Sequence, residues 1–340
     1  MPEPKPADPC LGGGILAGIL ILGRPSLIPV GILIWLIWKA GRGKSLRTAG
    51  MIAVFAGGLI LALLPFSLQY YLHHREFVLI SPHGGENFYI GNRPGAIGLG
   101  QMPEFARGMP ELQRRDFRAE AERRTGTRFS PAQSSRYWFR QAFAFITHHP
   151  LRFIKLFGLK IYFFFCGTDF SDNYHLYFFQ KQFAILAFPF SWRLLSALGL
   201  AGVIAVRGRK GFTGLLYVMI ASYLVSVGFF FVASRLRIPI APLLCLGAGG
   251  AVWMTITTIR RKKLLPAAGI AGLFALLYLL LAGPEYRPPF YAIYTAAAEA
   301  YSRDGKMDRA RDYLEQARRE LDRDSPPITL RSYRHYLARG

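Results

Sequence analysis

The sequence predicts an all-α polytopic membrane protein with about six transmembrane helices, a small external domain and a C-terminal helical hairpin. Three observations carry that prediction. Hydrophobic residues fill 52% of the 340 positions, and aromatic residues 14% of the chain. Several apolar runs approach the roughly 20 residues that a helix needs to cross a bilayer. The 42 Lys and Arg outnumber the 20 Asp and Glu, for a formal charge of +22, and many of them sit in short loops between those runs. A disordered basic chain would lack the apolar content. A soluble nucleic-acid binder would lack the long apolar runs, so no nucleic-acid partner is expected. Collagen-like and disulfide-framework classes fail too, because the glycines have no period and there are three cysteines. Cys245, inside an apolar run, reads as a small core residue.

Residues 1–68 form the N-terminal membrane segment. The proline-rich leader has no basic stretch feeding an apolar core, so no secretory signal is read. Leu11–Trp38 is apolar, but Arg24-Pro25 divides it into two pieces too short to cross singly. One Pro-kinked span is the favoured reading, and two half-helices are the other. Thr48–Leu68 is a full-length span. Residues 69–150 form the external domain. It opens with Pro and Gly turns through Ser81–Asn92 and then becomes helical, with a charged helix at Pro110–Arg124 and an amphipathic one at Ser134–His149. Trp138, Ala142, Phe145 and Ile146 recur at helical spacing, an apolar face expected to dock against the membrane helices.

Residues 151–183 hold a Phe-rich stretch, Leu151–Gly167, followed by a loop. Lys155 and Lys160 lie within the stretch and are expensive in lipid. It is therefore expected to lie along the outer leaflet as an interfacial or re-entrant helix beginning at His149-Pro150. Residues 184–283 carry the remaining spans: Phe190–Val206, Phe212–Ala233, Ile238–Ile259 and Leu264–Ala282. Residues 284–340 form the external tail. Ala292–Leu321 predicts two helices around Asp304-Gly305-Lys306, with Ala300-Tyr301, Ala310, Tyr313-Leu314 and Ala317 spaced as in a single tetratricopeptide unit. One such unit cannot bury its faces alone, so the tail packs on the membrane surface or docks a protein partner. An ordinary helical hairpin is the plainer alternative.

Loop charge sets the orientation. Lys39–Arg47, Arg207–Lys210 and Arg260–Lys263 contain no acid and are predicted to be cytoplasmic. The long loop and the tail then face outside.

Against this topology, Ser234-Arg235-Leu236-Arg237-Ile238-Pro239 stands out, because its two arginines occupy the outer side, where orientation does not call for them. Guanidinium groups grip phosphate oxygens in pairs and stay charged when partly buried, so a lipid-linked phosphate is the expected ligand. Snorkelling to lipid headgroups is the alternative. Arg24 is a second intramembrane or interfacial cation, read either as part of a site or as a helix-end charge in water. Glu86 and Asn87, after Gly84-Gly85, and Asp172 are candidates for a donor or acceptor loop, against ordinary turn and solvated-loop readings. The five histidines at 73, 74, 83, 148 and 149 match no tight ligand spacing, so neither a metal nor a cofactor is expected.

Taken together, these motifs show a resemblance. Gly85–Asn92 with Pro94, the apolar run Gly18–Gly23 ending in Arg24-Pro25, His149-Pro150-Leu151-Arg152-Phe153, Asp172-Asn173 and Ser234–Pro239 resemble, in order, the bacterial membrane glycosyltransferases of the GT-C fold related to protein O-mannosyltransferases and the aminoarabinose transferase. The resemblance covers roughly Gly14–Ile259. It implies a multi-pass protein of the bacterial inner membrane that uses a polyprenyl-phosphate-linked sugar on the external, periplasmic face. Transfer would invert the anomeric carbon, with a carboxylate as base. Arg235, Arg237 and Arg24 would bind the lipid phosphate. The family's principal catalytic Asp follows its first membrane helix. Asp8 has no span ahead of it, so the catalytic role is not carried onto it. The chain is thus expected to match the C-terminal portion of such an enzyme, holding the donor side of the site and lacking the catalytic loop. The alternative is a non-catalytic membrane adaptor whose tail recruits an envelope-assembly partner.

Overall fold

The computed structural model describes residues 9–23, 46–106, 110–170, 183, 191–206, 212–284 and 291–322. Among them are twelve α-helices and one 3₁₀ segment. There is no strand, only an isolated parallel bridge between Leu99 and Val232. In chain order the helices are α1 (Pro9–Gly23), α2 (Leu46–His74), α3 (Gly84–Gly91), α4 (Pro110–Thr125), α5 (Pro131–His148) and α6 (Pro150–Phe165). After these come α7 (Trp192–Ala205), α8 (Phe212–Phe229), the 3₁₀ segment (Ser234–Ile240), α9 (Ala241–Arg260), α10 (Leu264–Leu280), α11 (Tyr291–Arg303) and α12 (Met307–Asp322). Arg24, the second half of the first apolar stretch and Asp172 lie outside the described residues.

Two helical stretches, Ala49–His74 and Ser234–Arg260, are long and apolar enough to cross a membrane. Four other apolar helices have 10–17 residues and fall short of that length, so the full set of six expected spans is reduced to two at this criterion. The clearest loss is in α8. The run Phe212–Ala233 predicts a span through Ala233, but the helix stops at Phe229. Residues beyond it are drawn out to pair with the loop at 98–100: Val232 N–H donates to the Gly98 carbonyl (2.9 Å) and Gly100 N–H donates to the Val232 carbonyl (3.3 Å). Backbone hydrogen bonding to a distant segment outweighs helical continuation there.

Helices α1 and α2 meet through small residues. Gly14 lies on the Phe55 carbonyl, and Gly18 lies on the Leu59 carbonyl and the Ala62 methyl, where a side chain would collide. The four-residue spacing is the small-xxx-small contact by which helices approach in lipid. Only 22% of the most apolar window of α2 is buried, and the same holds for the 3₁₀–α9 stretch. Ile60, Leu61, Leu64, Leu68 and Leu72 are exposed on α2, as are Leu246, Trp253 and Ile259 on α9. Cys245 is exposed on this outward face and is not a core residue. An apolar run says that a residue is out of water, but not whether protein covers it.

Helices α3, α4 and α5 build their own core: Phe88, Tyr89, Ile90, Phe117, Ala121, Trp138 and Ala142, joined by Phe231 and Ala233. Trp138 is fully buried and its indole N–H donates to the Phe117 carbonyl (3.1 Å). The apolar face of α5 thus turns mainly to α3 and α4. Helix α5 starts at Pro131, three residues before the expected start, because Ser130 caps it. The hydroxyl accepts from Gln133 N–H (3.2 Å), Gln133 Oε1 accepts from Ser130 N–H (2.9 Å), and the hydroxyl donates to Glu76. Pro131 at the first helical position suits that start. Ser130→Ala is expected to lower stability by about 1–2 kcal/mol in thermal unfolding, since it also removes the hydroxyl donor from Glu76, just beyond α2, leaving that carboxylate the Ala132 N–H (3.4 Å).

In the tail, α11 and α12 form the expected hairpin, burying Ala298, Ala310 and Ala317 and stacking Tyr301 on Tyr313 (ring centroids 5.4 Å apart).

Candidate functional site

The site grows from the turn at Ser234–Arg237, where the 3₁₀ segment leads into α9. Four bonds fix this turn. Phe170 N–H donates to the Ser234 hydroxyl (2.8 Å), and Ser234 N–H donates to the Phe170 carbonyl (3.0 Å). The Tyr223 hydroxyl of α8 donates to the Leu236 carbonyl. Arg237 Nη2 donates to the Phe163 carbonyl at the end of α6 (2.6 Å).

The two arginines have opposite environments. Arg237 is 4% exposed, with its guanidinium 5.5 Å from the Trp192 ring centroid and 5.7 Å from that of Phe170. Planar guanidinium stacks on aromatic faces and tolerates this burial. Beside it, burial pushes the Cys166 thiol above its ordinary range, opposed in part by the Arg237 charge. Arg235, two residues earlier, is exposed. One arginine is built into the protein and the other faces outward.

Lys160 of α6 was marked by the sequence only as a poor fit to lipid. It is fully buried in protein. Its Nζ donates to Asn92 Oδ1 (3.0 Å) and to the Gly228 carbonyl near the end of α8 (3.0 Å). Asn92 Nδ2 in turn donates to the Phe88 carbonyl (2.9 Å) and the Phe229 carbonyl (2.6 Å). Desolvation lowers the lysine from its ordinary 10.5 to about 7. The final Asn of the Gly85–Asn92 motif therefore joins α3 to α6 and α8. Arg93 next to it reaches the Gln101 and Met102 carbonyls (both 3.4 Å), closing the loop between them.

At the other end of that motif, Ser81–Asn92 is not a turn throughout, because residues 84–91 are helical. Gly85 makes its close approach to the Ser135 carbonyl of α5, and its N–H donates to the Ser135 hydroxyl (2.9 Å). The glycine serves helix packing. Glu86 is 2% exposed, and Asn87 is partly exposed beside it. Glu86 Oε2 lies 3.6 Å from His83 Nδ1. Neither of these buried atoms has a hydrogen-bond partner. The structure thus places Glu86 and Asn87 with His83 at the start of α3 and does not bring them to Arg235 and Arg237, whose neighbours Phe231, Ala233 and Leu236 pack on the α3–α5 core. Among the described residues no group of three His, Cys, Asp or Glu side chains is arranged to hold a metal ion.

No family model matches the chain, and comparisons with curated proteins and with solved structures give no match either.

Proposed function

We propose that the chain is a multi-pass membrane protein of glycosyltransferase type that binds a polyprenyl-phosphate-linked sugar at the external membrane face. The observation that carries this reading is the turn Ser234–Arg237. It stands at the head of an apolar stretch long enough to cross a bilayer and presents an exposed Arg235 on a backbone that four hydrogen bonds hold still. A charge at that depth meets lipid phosphate rather than bulk water, and a fixed scaffold lowers the ordering cost of binding it. Arg237 acts beneath it as the positioning post. The outward apolar faces of α2 and α9 support the membrane assignment, since lipid would cover what protein leaves bare.

Multi-pass topology requires the shorter apolar helices to cross as well, with the basic loops inside. Under this reading the Arg24 guanidinium, Glu86, Asn87 and Asp172 complete the donor and acceptor surroundings. The adaptor reading draws on one observation: α12 leaves Met307 and Leu314 exposed on the tail hairpin, 59% and 53% respectively.

Photocrosslinking of the full chain in nanodiscs with a polyprenyl-phosphate analogue separates the two. The wild type should be labelled, and Arg235→Ala should reduce labelling by about tenfold or more, the scale of one charge-assisted contact to phosphate. Deleting 288–340 should leave labelling intact. Unchanged labelling in Arg235→Ala refutes the phosphate role. Loss of a co-purifying protein on tail deletion, in a chain that is never labelled, favours the adaptor.

A further inference from the structure

We infer that α1 crosses the membrane in the same direction as α2, from a cytoplasmic end at Pro9 to an external end at Gly23, so that the chain crosses three times before it reaches α3. The inference rests on the membrane reading above for its bilayer, but the relative direction of the two helices does not. Gly14 lies on the Phe55 carbonyl and beside the Leu59 nitrogen, and Gly18 lies on the Leu59 carbonyl and the Ala62 methyl. Seen from α2, Gly58 lies on the Leu11 carbonyl and beside Gly14 and Ile15. Positions rise together along both helices, so the pair is parallel.

The same contacts set the depth. Gly14 falls between Phe55 and Leu59 and Gly18 between Leu59 and Ala62, so each residue of α1 is level with one about 43 positions later. Gly23 then stands level with about Phe66, about 4–5 Å short of Gln69, where the apolar run of α2 ends. Pro9 is level with about Ile52, near the inner end of that run. From the level of Gly23 down to Leu46 is about 30 Å, the thickness of the hydrocarbon core. The 22 residues between them therefore start at one surface and end at the other. Lys39, Arg42, Lys44 and Arg47, with no acid among them, hold the start of α2 on the cytoplasmic side. Arg24, the one cation that follows Gly23 directly, is outnumbered four to one, and at the outer surface it escapes the cost of a charge in the bilayer centre.

Both readings of Leu11–Trp38 from its sequence give way to this arrangement. One Pro-kinked span would run α1 against α2, opposite to the order of the glycine contacts. A pair of half-helices would turn near the middle of α2, about level with Gly58, and not at its outer end. The sidedness also limits where the proposed chemistry can come from. The chain entering α1 approaches from the cytoplasm, so a carboxylate ahead of Pro9 is walled off from an external lipid phosphate. Residues 24–45 contain no acid. A base supplied by this chain has to come from beyond α2.

The test is side-specific labelling of the full chain in bacterial membranes with a membrane-impermeant maleimide. Exposed Cys245 is changed to serine, and Cys166 is buried. One further cysteine is then present at a time. These are native Cys10, Gly23→Cys, where a side chain meets nothing within 4 Å, and Ala49→Cys and His74→Cys, both at exposed positions of α2. Gly23→Cys should label with His74→Cys from outside, and Cys10 with Ala49→Cys from inside, each at least tenfold faster than from the opposite side. Labelling of Gly23→Cys from inside, or of Cys10 from outside, overturns the inference. Equal labelling of all four from both sides refutes the membrane reading instead.

Where lipid shields an α1 cysteine from both sides, or the membrane reading fails, oxidative crosslinking decides the direction. A side chain at Gly13 would lie 3.6 Å from the Phe55 ring. Gly13→Cys should therefore join Phe55→Cys at least tenfold faster than it joins Leu63→Cys, two turns further along the buried side of α2. A preference for Leu63→Cys makes the pair antiparallel and overturns the proposal.

Discussion

Arg237→Ala is expected to lower the stability of the folded protein by about 2–4 kcal/mol. The substitution removes a charge-assisted bond to the Phe163 carbonyl, worth about 1.5–3 kcal/mol, and two guanidinium–ring contacts worth about 0.5–1 kcal/mol each. Part of that loss is returned because the charge no longer has to be kept out of water. What remains is an enclosed carbonyl whose other donor is the weak Cys166 thiol (3.5 Å), and a gap between Phe170 and Trp192. Arg237→Lys should recover less than half of the loss, since a compact ammonium cannot both reach the carbonyl and lie flat between two rings. Arg235→Ala, two residues away and exposed, should change stability by no more than about 0.5 kcal/mol while reducing phosphate-analogue labelling. Thermal unfolding in one fixed detergent, followed by circular dichroism, checks all three. An Arg237→Ala protein as stable as wild type would show that the turn does not depend on its buried arginine.

That contrast marks the limit of what the sequence makes legible. Ser-Arg-Leu-Arg-Ile-Pro reads as two equivalent cations beside an apolar run, because periodicity cannot assign a side to each residue in a 3₁₀ segment preceding a helix. The difference between Arg235 and Arg237 comes from α6 and α7, which supply Phe163 and Trp192 from 74 and 45 positions earlier in the chain. Helix existence is legible wherever the period is sustained. The helices expected at Pro110–Arg124, Leu151–Gly167 and in the tail hairpin are found to within one or two residues, and α5 is found apart from its early start.

Misses occur where a non-local partner intervenes. Phe212–Ala233 looks continuous because its apolar composition does not change at Phe229, yet the backbone there is taken up by Gly98 and Gly100. Ser81–Asn92 looks like a turn because of Pro82, Gly84 and Gly85. Gly85, however, is small so that α3 can lie on the α5 backbone, and helix propensity yields to that packing. Cys245 was assigned to the core by hydropathy alone, which does not distinguish a protein neighbour from lipid. His83 was visible only as one of five histidines. The signal that singles it out is the three-residue interval to Glu86 within a segment that proves to be helical.

Lys160 gives the second large effect, and its sign is unusual. Burial holds the folded-state value near 7, against 10.5 for the ordinary side chain, so between those two pH values the unfolded chain binds a proton that the folded chain does not. Stability contributed at this position therefore rises as pH increases from about 7 to about 10. Below about 7 both states are protonated, and the penalty for enclosing the charge is present in full, on the order of 3–5 kcal/mol. Lys160→Met removes the titration while filling the same space, at the cost of leaving Asn92 Oδ1 and the Gly228 carbonyl without this donor, about 1–3 kcal/mol each. The difference in unfolding free energy between Lys160→Met and wild type should consequently shift in favour of the variant as pH falls from 10 to 7, and then level off. Denaturant unfolding of both proteins at pH 6, 8 and 9.5 measures that difference, and a gap independent of pH would mean that Lys160 keeps an ordinary lysine's proton in the folded state. The same series bears on how the α3–α5 unit is held: Asn92→Ala should leave the amine with only the Gly228 carbonyl, lowering its folded-state value further, so that stability keeps falling below pH 7 instead of levelling off.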